Sequence, residues 1–146
     1  MKSTGIKVLL ATAMLFATSL VTAADRPYTD GPVTNVSYIK IKAGMFDAYI
    51  KWVATDRKAL MEEYKKAGLI LSWKVYTAQA RSPSEPDLIL TVTYKNWAAF
   101  DNLNDKQDAI TERLQGSSDK QNQMAIGREQ MREVLGVDTI QELVIK

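Results

Sequence analysis

The chain contains no cysteine and no histidine. Without cysteine there is no disulfide framework, no thiolate nucleophile and no thiolate metal ligand. Without histidine the commonest general base, the commonest zinc ligand and the usual haem ligand are gone. No internal repeat and no low-complexity tract divides the sequence. What remains is 146 residues, 46% hydrophobic and 25% charged. That suits one domain with a real core and is too short for two.

The first segment reads as an export signal rather than as part of the fold. Lys2 and Lys7 make a basic start, Val8 to Val21 is apolar apart from Thr and Ser, and small residues follow at Ala23 and Ala24. Cleavage after Ala23 or Ala24 is expected, which places the mature protein in the periplasm or outside the cell. The apolar run is short of the roughly 20 residues that a membrane span needs, so no membrane association is expected after cleavage. The whole chain has 19 basic and 17 acidic residues, and two of its lysines lie in this segment. The remainder is therefore neutral, and no basic cluster stands out. A neutral surface gives little drive toward nucleic acid.

Beyond the signal, Asp25 to Pro32 reads as a flexible lead, broken by Pro27, Gly31 and Pro32. One domain is expected over residues 33–146. Val33 to Ile41 alternates and is rich in β-branched residues, so it predicts a strand. Met45 to Ala67 predicts a helix, with Phe46, Tyr49, Val53, Leu60, Tyr64 and Ala67 forming an apolar stripe that stops at Gly68. Leu69 to Thr77 and Asp87 to Lys95 predict two strands joined by a long loop. Helical pieces follow over Trp97 to Leu103, to Leu114, and over Asp119 to Leu135, with Gly116 and Gly136 as stops. Ile140 to Ile145 predicts a last strand. This β-α-β-β-α-β order is the split βαβ arrangement: an α+β, ferredoxin-like fold with a four-stranded antiparallel sheet.

Alternation divides each strand between two faces. Ile39, Ile41, Leu71, Trp73, Val75, Leu88, Leu90, Val92, Tyr94 and Val144 fall on a nearly all-apolar side that the helices should cover. Val36, Tyr38, Ile70, Lys74, Tyr76, Ile89, Thr91 and Thr93, with Leu143 and Ile145, fall on the reverse. That side is too apolar to face water. Burying five such groups at roughly 1.5–3 kcal/mol each gives about 7–15 kcal/mol, comparable with an association cost of about 4–15 kcal/mol. A homodimer joined sheet to sheet is expected.

Two stretches carry a family resemblance. Tyr38-Ile-Lys-Ile-Lys-Ala-Gly-Met-Phe-Asp-Ala-Tyr49 runs a strand through a glycine turn into a helix. Leu90-Thr-Val-Thr-Tyr-Lys-Asn-Trp-Ala-Ala-Phe100 runs a strand into a helix that opens on an aromatic. With the element order, they make the chain resemble the dimeric α/β-barrel superfamily, which includes antibiotic-biosynthesis monooxygenase-type, stress-responsive barrel-type and NIPSNAP-type domains. The resemblance implies a small apolar pocket between sheet and helices, and a barrel closed by two sheets. Activities in the group run from cofactor-free oxygenation and haem breakdown to polyketide cyclisation. The haem-binding and cyclase branches use a histidine that this chain lacks. Where some oxygenase branches place an asparagine on the first strand, this chain has Ser37. No catalytic set carries over, and no cofactor or metal is expected.

The candidate ligand-binding residues are Asn35 and Ser37, polar groups on the helix side of the first strand, and the aromatics Trp52, Trp73, Tyr94 and Trp97, whose rings can wall a pocket for a flat ligand. Trp52 is the most informative of these, because it flanks the helix stripe instead of lying on it. The leading expectation is an exported homodimer that binds a small apolar or aromatic molecule. A cofactor-independent oxygenase or cyclase is the alternative, and a dimer with a dry core and no ligand is a third.

Overall fold

The structure, a computed structural model, describes residues 26–146. The expected export segment, residues 1–24, lies outside them. Strand β1 (Tyr28–Ile41) leads through a turn at Gly44 into α1 (Phe46–Trp52). A π-helical turn (Val53–Arg57) joins α1 directly to α2 (Lys58–Lys66). Strands β2 (Ser72–Thr77) and β3 (Leu88–Tyr94) follow, then a 3-10 turn (Trp97–Phe100), α3 (Leu103–Gln115), α4 (Ser118–Met131) and β4 (Arg132–Ile145). The strands pair antiparallel in the spatial order β2-β3-β1-β4. This is the ferredoxin-like sheet, with its second helical segment broken into pieces.

Two clusters make the core on the helix side of the sheet. Ile39, Leu88 and Leu90 pack with Tyr49 and Val53, and Tyr94 packs with Met61, Tyr64, Ile70 and Leu103. Register explains the set: Ile39 pairs with Leu88, Ser37 with Leu90, Asn35 with Val92 and Val33 with Tyr94. Alternation turns Val36, Tyr38, Ile89, Thr91 and Thr93 the other way. There Thr34 and Thr93 share a hydroxyl hydrogen bond of 3.0 Å across the strands.

The helical rod departs from its expected stripe at the π-turn. Its i→i+5 bonding absorbs one extra residue per turn. The buried position after Val53 is therefore Met61, eight residues on, and not Leu60. The Thr55 hydroxyl donates to the Lys51 carbonyl at 2.9 Å, beside the disturbed ladder. Phe46, expected on the stripe, is 46% exposed.

Further expectations are corrected. Residues 28–32, read as a flexible lead, belong to β1, and Tyr28 to Asp30 pair with the end of β4, where Tyr28 meets Ile145. Ile70 is 3% exposed and lies in the core, not on the reverse face. Strand β2 begins only at Ser72, so alternation does not extend back to Ile70, and Leu71 is correspondingly exposed. Finally, the chain from Arg132 is strand, not helix. Gly68 and Gly116 take positive φ and end helices as expected, whereas Gly136 lies within β4 opposite Tyr38. Val33 pairs with Gln141, so alternation along β4 sends Glu142 and Val144 to the reverse face and Leu143 and Ile145 to the helix side, opposite to the expected assignment.

Candidate functional site

A cavity of about 400 Å³ lies among the helices. Its lining comes from the α1–α2 rod (Trp52, Arg57, Leu60, Tyr64), from α3 (Thr111, Gln115), from α4 (Gln121, Asn122, Ala125, Arg128) and from Arg132, the first residue of β4. No residue of β1, β2 or β3 lines it. The expected pocket between sheet and helices is thus displaced into the helical layer, because α4 packs against α1 and the start of β4.

The π-turn shapes this wall. Five residues along a regular α-helix advance the direction by about 500°, which would leave Arg57 about 140° away from Trp52. The wider π-turn brings residues five apart back into line. Trp52 and Arg57 therefore open onto one space.

An aromatic and cationic row builds one side. Tyr49 and Trp52 stack at 5.5 Å between ring centroids. Arg128 lies 5.1 Å from the Trp52 centroid, and Arg132 lies 5.7 Å from that of Tyr49. Arg132 also donates to the Tyr49 hydroxyl at 3.2 Å. Such cation–π contacts hold guanidinium groups in place without neutralising them.

The lining includes three arginines and no carboxylate. Arg132 has a long contact of 3.5 Å to the exposed Glu129. Burial depresses the pKa of Arg57; Tyr49 is the largest opposing influence, with Tyr94 behind it, while repulsion from Arg132 and Arg128 adds to the depression. Burial also lowers Arg128, again with Arg132 repelling it and with Glu129 and Asp56 among the groups that oppose the shift. A guanidinium stays charged in proteins despite such shifts, so the cavity is a positively charged space. Among the described residues, three side-chain nitrogens are buried without a hydrogen-bond partner: Arg57 Nε, Arg132 Nε and Trp52 Nε1. Unpaired buried donors are uncommon and costly.

Tyr64 closes the far side. The Thr111 hydroxyl donates to the Gln107 carbonyl at 2.8 Å. Its contact of 2.6 Å with the Tyr64 hydroxyl therefore has the phenol as donor. Burial raises the Tyr64 pKa, so this proton is held.

Of the six expected ligand-binding residues, only Trp52 lines the cavity. Trp73 faces a shallow apolar groove of about 500 Å³ along β2, and its indole donates to Glu62 at 2.8 Å. Tyr94 is buried in the core against Phe100. Trp97 is 53% exposed and donates to Gln141 at 3.0 Å. Asn35 accepts from the Thr139 hydroxyl at 2.8 Å, and Ser37 is half-buried between Leu90 and Val137. Of the expected dimer-face residues, all but Ile70 lie on the reverse of the sheet by register: Tyr38, Ile89 and Tyr76 in one row, Val36, Thr91 and Lys74 in the next, and Thr93 beyond. The arginines were not anticipated. The available signal was Arg128 and Arg132, four residues apart beside Met124 and Met131, on a face where an acid partner would be usual.

No protein-family profile matches the chain, and no curated protein matches it. Solved structures do. HapK from Hahella chejuensis is 18% identical, with 75% of this chain and 91% of that one covered and a TM-score of 0.50. A protein from Shewanella oneidensis is 15% identical over 80% of this chain and 96% of its own, at a TM-score of 0.51. A protein from an uncultured marine organism, described as a dimeric ferredoxin-like protein, is 14% identical over 81% of this chain and 98% of its own, at a TM-score of 0.50. Together with the β2-β3-β1-β4 sheet, these likenesses make the chain a ferredoxin-like α+β protein.

Proposed function

We propose that this is an exported, homodimeric protein that binds a small aromatic molecule in the cavity between its helices. The observation that carries the reading is a partly open cavity of about 400 Å³ with Trp52 on its wall. That volume is within the range of ligand pockets, roughly 300–1,000 Å³. Export is supported by the layout of residues 1–24. Dimerisation is supported by the apolar reverse face, where Tyr76, Ile140 and Val144 are about half exposed, and by the description of one structural neighbour as dimeric.

Binding is favoured over turnover. An oxygenase or cyclase without a cofactor needs a base against its substrate. The tyrosine in the cavity, Tyr64, is pushed up by burial and spends its proton on Thr111. The three cations that line the space cannot accept a proton.

The cavity lies within one subunit, so the expected stoichiometry is one ligand per chain. Native mass spectrometry of the mature protein with 2-naphthol should show a dimer carrying up to two ligands. A dimer that takes up none at millimolar 2-naphthol would speak against the cavity as a site for such molecules.

A further inference from the structure

The cavity holds more positive charge than the fold requires. Arg57, Arg128 and Arg132 come from three separate elements onto one space. Nothing in the core demands them. The charged groups that act on Arg57 are Arg128 and Arg132, and both repel it. A fold under no other constraint would place an apolar side chain at a site this buried, or an acid beside it.

The charge indicates what is recognised. A guanidinium grips a planar oxyanion through two parallel N–H groups. In Arg57 and Arg132 the Nε is buried in the wall, which leaves the Nη edge of each group to meet a molecule in the cavity. Arg132 is oriented by its bond to the Tyr49 hydroxyl and by the ring beneath it. Three cations with no carboxylate among the lining residues call for a ligand that brings a negative charge. The Trp52 ring supplies an apolar wall alongside.

We infer that the ligand is an aromatic acid, with its ring along Trp52 and its carboxylate held by the guanidinium groups of Arg57 and Arg132. This rests on the reading of the cavity as a small-molecule site and adds the charge of the molecule. Arg128, in contact with the Trp52 ring, positions that wall.

Two probes of equal shape separate the two ideas: 1-naphthoate and the neutral 1-naphthamide. Each is titrated calorimetrically into the mature protein, into Arg57→Gln and into Arg57→Lys, with folding of the variants checked by circular dichroism. The wild type should bind the naphthoate at least about tenfold more tightly than the amide. Arg57→Gln should bring the ratio close to one by weakening naphthoate alone, and Arg57→Lys should retain part of it. Equal affinities in the wild type would overturn the carboxylate assignment while leaving the cavity as a neutral-ligand site. A ratio unchanged in Arg57→Gln would overturn the role of Arg57. Failure of both probes to bind the wild type would remove the cavity reading and this inference together. The wild-type ratio does not depend on the folding of any variant.

Discussion

Arg57→Met should make the empty protein more stable. Arg57 sits at the end of the π-turn with its Nε buried and unpaired, and the nearest cations repel it. Methionine is similarly long and unbranched, fills irregular space and suits a helix. It keeps the packing of the arginine stem and removes the orphaned donor. An unsatisfied buried polar group costs about 1–3 kcal/mol, so a gain near 1 kcal/mol is expected after small packing losses. For a domain of this size that is about 3–5 °C in Tm. Thermal melts and urea titrations of ligand-free protein would measure it, with Arg113→Met as control. Arg113 donates to Glu63 at 2.6 Å on the surface between α3 and α2, so its loss should lower stability slightly. The reasoning fails if Arg57→Met is less stable than the wild type by 1 kcal/mol or more. Arg57 would then be a structural residue, and its charge would not be kept for a ligand.

Two further outcomes are expected. Ile89→Arg puts a charge on the reverse face twice across the proposed symmetric interface; at about 3 kcal/mol for each buried unpaired charge, about 6 kcal/mol in all, it should weaken the dimer on the order of ten-thousandfold, seen by light scattering as a monomer at concentrations where the wild type is dimeric. Asp87 accepts from the Ile41 backbone amide at 2.8 Å and from Lys40 at 3.1 Å; the amide bond above all, aided by the hydrogen bond and charge of Lys40, holds its pKa below the ordinary value against the opposing effect of desolvation. Because the folded pKa is the lower one, the contribution is full above about pH 4 and is lost as pH falls through the folded value. Asp87→Asn should therefore cost about 1 kcal/mol at neutral pH, and the gap to wild type should close in acid.

Much of the fold was legible because burial imposes simple periods. Leu88, Leu90, Val92 and Tyr94 alternate over a helix layer, and β3 lies where that alternation runs. Gly68 and Gly116 end helices because their φ is positive. The misreadings share a cause: local pattern yields to tertiary pairing. Gly136 has the residue type of a helix stop, but twelve of the fourteen residues of β4 pair along β1. The same pairing drew Tyr28 to Asp30 into the sheet. Leu60 and Met61 exchanged roles because no residue type announces a π-turn. The candidate site was mostly hidden for a related reason. Arg57 and Arg132 lie 75 positions apart, and only the folded chain reveals that they line one cavity with no carboxylate in its lining. Trp52 stood out because its indole flanks the apolar stripe; it packs on the edge of the core and also lines the cavity.

The central claim reduces to one observable, since the chain has three tryptophans in three different settings. In a nitrogen-15 correlation spectrum of the indole groups, added 1-naphthoate should move the Trp52 signal and leave Trp73 and Trp97 in place. Movement at Trp73 or Trp97 with Trp52 unaffected would contradict the account, because the ligand would then lie outside the arginine-lined cavity.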